Sequence, residues 1–157
     1  MVRWLHHRQH DYQLRAMSSD DLDSVLTLEE EAQRYPWSRA DFDASLNSFH
    51  QCWVLQSDQH LVAYAITSTA ADEADLLNIT VARGYQRQGL GRLLLKAISQ
   101  SFHSSIQTLF LEVRASNHGA IALYHQLNFN ELGIRPNYYP AKKGREDAII
   151  MGLSLCG

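Results

Sequence analysis

Three features of this 157-residue chain can do chemistry: a glycine turn, an isolated carboxylate and a phenol within a helical pattern. The turn is Gln86 to Arg92, QRQGLGR. It follows a β-like run and opens a helix-like one. Its glycines let the backbone approach a ligand closely, while helix-start N–H groups and the helix dipole present positive charge. Such a turn cradles an anion. Spacing alone leaves a plain strand-to-helix turn as the alternative, because Arg92-Leu93-Leu94 completes neither GxxxxGK[ST] nor GxGxxG.

The carboxylate is Glu112, set among Leu109, Phe110, Leu111 and Val113. At a sheet edge it can accept a proton from a nucleophile, directly or through one water. Alternation equally permits it to face outward from a half-exposed strand whose inner face is Leu111 and Val113. The phenol is Tyr124. It can donate a proton to a departing group, or it can be a core tyrosine on the stripe formed with Ala120, Ile121 and Leu127.

The elements that must position these groups follow from the hydrophobic periods. Tyr12 to Arg15 reads as a strand, and Ser19 precedes a helix with Leu22, Val25, Leu26 and Leu28 and acidic residues in its first turn. Pro36 stops that helix within Tyr35-Pro36-Trp37, and a second helix starts after Ser38. Cys52 to Leu55, Leu61 to Thr69 and Ala74 to Val81 predict an antiparallel meander with turns at Ser57-Asp58-Gln59 and Ala71-Asp72-Glu73. A third helix follows the glycine turn, with Leu90, Leu93, Leu94, Ala97 and Ile98 on its inner face. Thr108 to Val113 is a strand, Asn117 to Leu127 a helix, and strands at Asn130 to Ile134 and Ala148 to Leu153 close the fold.

Composition bounds the class. A hydrophobic content of 45% over 157 residues suits one ordinary globular domain, here residues 11–157, with 1–10 as a flexible extension. The net charge of −3 gives no basic field for nucleic acid, while an amine or basic peptide stays compatible. Cys52 and Cys156 match no metal spacing and read as reduced thiols of a cytosolic protein. His6, His7 and His10 read as solvated rather than metal-binding. No apolar run approaches the roughly 20 residues that span a bilayer, and MVRWLHHRQH lacks the apolar core of a secretory signal.

In order, the strand Leu76 to Val81, QRQGLGR, LEVRASN at Leu111 to Asn117 and ALYHQLNF at Ala122 to Phe129 resemble the motifs of the GNAT acetyltransferases. The resemblance covers nearly the whole chain after residue 11. It implies an α/β (α+β) GNAT fold: a mixed, mostly antiparallel sheet of about seven strands, helices on both faces, and a splay between strands four and five. It also implies acetyl-CoA as co-substrate and no metal. The pyrophosphate would be held by Arg87, Gln88, Gly89, Leu90, Gly91 and Arg92. The strand Ile79-Thr80-Val81 would lie beside the pantetheine arm, and Asn117 would contact the cofactor, although an N-cap role competes for it.

PWS at Pro36 to Ser38, RPNYYP at Arg135 to Pro140 and GREDAIIM at Gly144 to Met151 are similar to the RimI branch of that family, bacterial enzymes that acetylate the N-terminal alanine of small-subunit ribosomal protein number eighteen. The resemblance implies Glu112 as general base and Tyr124 as general acid. It also implies a peptide groove flanked by Tyr35, Trp37, Arg135, Tyr138, Tyr139 and Asp147. The charges of Glu146 and Asp147 can meet a protonated or basic peptide, or be solvated loop charges. The implied partner is the N-terminal segment of a ribosomal protein, without direct nucleic acid or membrane contact, in a monomer or weak dimer of the bacterial cytoplasm. A lysine side chain or small amine as acceptor, and a non-catalytic acetyl-CoA-binding or ribosome-binding module, are the alternatives.

Overall fold

A computed structural model describes residues 2–155, so Cys156 lies outside the described residues. The chain forms two compact units, one of Met1–Ser68 with Asn78–Phe102 and one of Thr69–Leu77 with His103–Gly157. Eight strands and four α-helices are present among the described residues.

In the first unit, strands β1 (Val2–His7), β2 (His10–Ala16), β3 (Gln51–Ser57) and β4 (His60–Ala70) lie side by side in that order. Each of the pairs β1–β2, β2–β3 and β3–β4 is antiparallel. The C-terminal half of β5 (Glu73–Val81) continues this unit. Helices α1 (Leu22–Ala32) and α2 (Arg39–Leu46) close over a core of Met17, Leu22, Val25, Leu28, Phe42, Val54, Tyr64 and Ile66.

Local chemistry sets the helix starts. Ser38 and Asp41 form a capping box, with Ser38 Oγ accepting from the Asp41 N–H at 3.2 Å and the Asp41 carboxylate accepting from the Ser38 N–H at 2.8 Å. At α1 a 3-10 turn, Ser19–Asp21, comes first; Ser18 caps that turn, and Asp21 is the N-cap of α1 itself. Asp21 accepts from the Ser18 N–H and takes two bonds of 2.8 Å from Arg15. That bidentate pair holds the Asp21 carboxyl below its ordinary value.

Val2–His7, within the extension expected to be flexible, instead form a strand of a hairpin, and the sheet has eight strands rather than seven. Val2 pairs with Arg15 and the register runs to His7 and His10. The connection is a two-residue turn in which Arg8 and Gln9 both have positive φ, 49° and 66°. That is the primed geometry hairpins favour, but without the Asn-Gly or Asp-Gly that ordinarily signals it. Leu5 is buried, while Trp4 and Val2 face solvent.

In the second unit the strand order is β5, β6 (Thr108–Arg114), β8 (Arg145–Ser154), β7 (Asn130–Pro140). Helix α4 (His118–Gln126) precedes β7. The core here comprises Ala74, Leu76, Leu109, Leu111, Val113, Phe129, Ala148 and Met151. Strand β6 alternates as expected, with Leu109, Leu111 and Val113 buried. Its parallel ladder with β5 runs only from Glu73↔Thr108 to Leu76↔Leu111, which is the expected splay, falling between β5 and β6 once β1 is counted. Strand β7 continues to Pro140, beyond the expected Ile134, because the register shifts twice, between Glu131 and Gly133 and between Arg135 and Tyr139. Pro136 is tolerated there because β7 is an edge strand and its donor is not required.

Candidate active site

The glycine turn leads into α3 (Leu90–Ser101) in the first unit. Arg87 at φ 62° and Gly89 at φ 84° both take the left-handed conformation. Gly89 is the N-cap and has no side chain with which to close the first turn, and its carbonyl accepts from the Leu93 N–H at 3.0 Å. Gln86 braces the turn from the strand side, its amide donating to the Val81 carbonyl at 3.0 Å. Arg87 and Arg92 are exposed and Gly91 is buried. Backbone donors, a helix N-terminus and flanking guanidinium groups fit a pyrophosphate. Leu95 is buried on α3, with Leu93 only half-buried.

Thr80 is expected beside the cofactor, but its hydroxyl is committed elsewhere. It donates to Glu29 Oε1 at 3.1 Å and accepts from Gln33 Nε2 at 2.9 Å. Any ligand contact by Thr80 therefore belongs to its backbone, as for Ile79 and Val81 in the same strand.

Glu29 is a residue that sequence reasoning missed. It is 1% exposed on α1. Oε1 also accepts from the Tyr64 hydroxyl, and Oε2 accepts from the Trp37 N–H at 2.9 Å and from Asn78 Nδ2 at 3.2 Å. A buried carboxylate requires such donors, and here they tie the Tyr35-Pro36-Trp37 loop and β5 to one point. Burial foremost, and then the Glu29 charge, push the Tyr64 phenol up. Leu22, Val25 and Glu29 stand at i, i+3 and i+7, so the helical stripe itself marks Glu29 as inward-facing. Trp37 is half-buried with its ring 5.2 Å from Phe42, so it packs on the core rather than standing free on its loop. The Arg34 guanidinium lies over the Tyr35 ring at 5.5 Å.

The second unit brings together Glu112, Arg135, Tyr138 and Tyr139. Glu112 pairs with Ile150 across β6–β8 and lies one residue beyond the last β5–β6 pair. Its Oε1 accepts from Arg135 Nε at 2.7 Å. Hydrogen bonding with Glu112 pushes the Tyr138 phenol up, and the Arg135 guanidinium stands 5.5 Å from the Tyr138 ring centre. The β7 bulge is what delivers both side chains. It is pinned by the Asn137 N–H donating to Asp147 Oδ1 at 2.9 Å. Tyr139 donates to the Glu112 backbone carbonyl at 3.2 Å, and its own phenol is pushed up to about 12, first by burial. Asp75, also missed, is raised by burial and then by the charge of Glu112.

Glu146 already has partners within the protein. Its Oε1 accepts from Arg114 at 2.9 Å and its Oε2 from the Ser116 N–H at 3.2 Å, so it braces the β6–α4 connection. The Arg114 hydrogen bond holds its carboxyl down. Asp147 likewise supports the bulge. Both acidic residues act within the protein because an ionised carboxylate beside unpaired N–H groups is better satisfied by them than by water.

Tyr124 is the buried residue of α4, 8% exposed, with its ring 5.6 Å from Phe129. Burial foremost, and then Tyr139, raise its phenol, so the group keeps its proton at every physiological pH. Asn117 caps α4, its Oδ1 accepting from the Ala120 N–H at 3.3 Å. Among the described residues no cluster of three or more His, Cys, Asp or Glu side chains could hold a metal ion. Among the described residues no helix is long and apolar enough to cross a membrane.

Within the first unit the glycine turn places backbone donors at a helix start; within the second, Glu112 lies on β6 and Tyr124, which keeps its proton, on α4. The chain belongs to the acetyltransferase (GNAT) family, which its residues 22–129 match. It is 44% identical to the [ribosomal protein bS18]-alanine N-acetyltransferase of Escherichia coli strain K12 over 143 residues, 90% of this chain and 97% of that one. The Haemophilus influenzae enzyme of the same description is 39% identical over 86% of this chain and 93% of its own length. The crystal structure of the Escherichia coli ribosomal-protein-S18-alanine N-acetyltransferase superposes with a TM-score of 0.83 at 43% identity, covering 93% of this chain and 95% of that one.

Proposed function

We propose that this protein transfers the acetyl group of acetyl-CoA to the N-terminal α-amine of a protein, with the N-terminal alanine of ribosomal protein bS18 as its substrate. The identity of 44% to an alanine N-acetyltransferase across nine-tenths of the chain carries the substrate assignment. Residues 11–157, joined by strand β1 through the β1–β2 hairpin, are read as one catalytic domain, acting on the exposed terminus of a ribosomal protein in the bacterial cytoplasm.

Acetyl-CoA supplies an activated thioester, and the chain's residues supply its grip and the proton traffic. The backbone from Arg87 to Arg92 holds the pyrophosphate, Ile79 to Val81 line the pantetheine arm through their backbone, and Asn117 adds a contact beyond its cap role. Glu112 accepts the proton of the attacking amine. An α-amino group with a pKa of about 7.7–8.0 needs only mild deprotonation near neutral pH, whereas lysine near 10.4 stays charged, so a single carboxylate suits a terminal amine. Tyr124, held protonated by burial, returns a proton to the departing sulfur. Tyr35, Trp37, Arg135, Tyr138, Tyr139 and Asp147 shape the peptide site, with Trp37 and Asp147 acting by supporting its walls.

The test is to incubate the protein and acetyl-CoA with basic peptides beginning in alanine or in blocked alanine, and to locate the acetyl group by mass spectrometry. Transfer to the free α-amine alone is expected. Acetylation mainly on lysine side chains, or none on any peptide despite acetyl-CoA binding, would overturn the assignment.

A further inference from the structure

The N-terminal strand β1 reaches the glycine turn through one side chain. His7 Nε2 lies 2.6 Å from the Gln88 carbonyl oxygen. Because a carbonyl only accepts, Nε2 carries the proton and His7 is the donor. The ring also covers Gly89, since a Cβ added there would lie 3.1 Å from Nε2.

We propose that β1 is part of the cofactor site and that His7 is a positioning residue for the pyrophosphate-binding turn, an inference that rests on reading Gln86 to Arg92 as that cradle. In a trans peptide the C=O and N–H point in opposite directions. A hydrogen bond that fixes the Gln88 carbonyl therefore aims the Gly89 N–H away from His7, on the side left open to an anion. The same bond polarises the peptide and strengthens its N–H as a donor. Gly89, in the left-handed region at φ 84°, has no side chain to hold its own orientation, so an outside brace has a specific use here.

The strand is registered for this task. Arg3, Leu5 and His7 share one face by alternation. Arg3 donates to the Ala97 carbonyl at 3.4 Å and to Gln100 Oε1 at 3.0 Å, near the end of α3. Leu5 is buried between them in sequence. Four strand residues from Arg3 to His7 span about 13 Å, and eight helical residues from Gly89 to Ala97 span about 12 Å. The match lets β1 run the length of α3 with His7 arriving at its N-terminus, and a slip of one residue would turn His7 to the other face.

His7→Phe keeps a ring and deletes the donor, whereas His7→Gln keeps an N–H. The KM for acetyl-CoA should rise about 3- to 10-fold in His7→Phe, the range of one hydrogen bond, with kcat unchanged and with recovery in His7→Gln. With S-acetylpantetheine, which lacks the pyrophosphate, the two proteins should behave alike. An equal rise for both donors, or no rise for acetyl-CoA, overturns the proposal. So does a 15N NMR spectrum of the wild-type protein showing the Nδ1–H tautomer of His7, a reading that holds even where a variant fails to fold. Wild-type protein that does not bind CoA overturns the cradle reading itself, before any variant is compared.

Discussion

Arg135 Nε donates to Glu112 Oε1 at 2.7 Å, from a β7 bulge onto the one carboxylate of β6. The pair orients the Glu112 side chain, while Tyr138 and Tyr139 meet the same residue at its carboxylate and its backbone. Removing the base and removing its orienting partner should therefore differ in size. Glu112→Gln should lower kcat by about 10²–10⁴-fold, the usual worth of general base assistance. Arg135→Ala should lower kcat/KM by a smaller factor, because a half-exposed ion pair is worth only about 0–1 kcal/mol beyond its geometric effect. Steady-state kinetics on an alanine-initiated peptide measures both, and equal losses would remove Glu112 from the base role.

Tyr124 offers a separation of catalysis from folding. Its ring packs on Phe129 and its hydroxyl is the part assigned to chemistry. Tyr124→Phe keeps the packing, so thermal melting should move by no more than a few degrees, as for a ΔΔG of about 1 kcal/mol. Its kcat should fall about 10²-fold or more. A variant that melts far lower without a kinetic defect would make Tyr124 a core tyrosine.

Much of this was legible in the sequence, and what was not has physical causes. The helix start after Ser38, the alternation of β6 and most of the α3 stripe are local patterns that read true, with Leu95 taking the buried place expected of Leu93. Strand β1 was hidden because its turn, Arg8-Gln9, takes the left-handed conformation without glycine or asparagine, held by the pairing of Val2–His7 with β2 from His10 to Arg15. The second half of β7 was hidden by Pro136, which breaks a strand pattern yet costs an edge little. The partners of Glu29, Glu146 and Asp147 are set by long-range contacts, so charge alone suggested exposed roles for the last two.

Glu29 should matter more to stability than to any chemical step. Glu29→Ala would leave the Tyr64 hydroxyl, Asn78 amide and Trp37 N–H without their buried acceptor, at about 3–5 kcal/mol including the cavity. Glu29→Gln, which keeps the volume but loses the charge, should cost about 1.5–3 kcal/mol. Urea unfolding distinguishes these, and a change below about 0.5 kcal/mol for the alanine variant would mean that the network is not stabilising.

The buried phenols set the alkaline limit of the fold. Tyr64 and Tyr124 are raised above the ordinary 10.0, in both cases first by burial. Below that value both phenols are neutral in the folded and the unfolded chain, and pH has no leverage through them. Above it the unfolded chain releases protons that the native chain retains, so unfolding becomes easier as pH rises. Each such tyrosine should lower stability by about 1.4 kcal/mol per pH unit once the unfolded phenol is ionised. Urea unfolding from about pH 9 to 11 should therefore show a declining ΔG whose slope is reduced by one proton in Tyr124→Phe. Equal slopes in the wild type and that variant would show that the Tyr124 hydroxyl titrates freely, and would remove the reason for treating it as a permanently protonated acid.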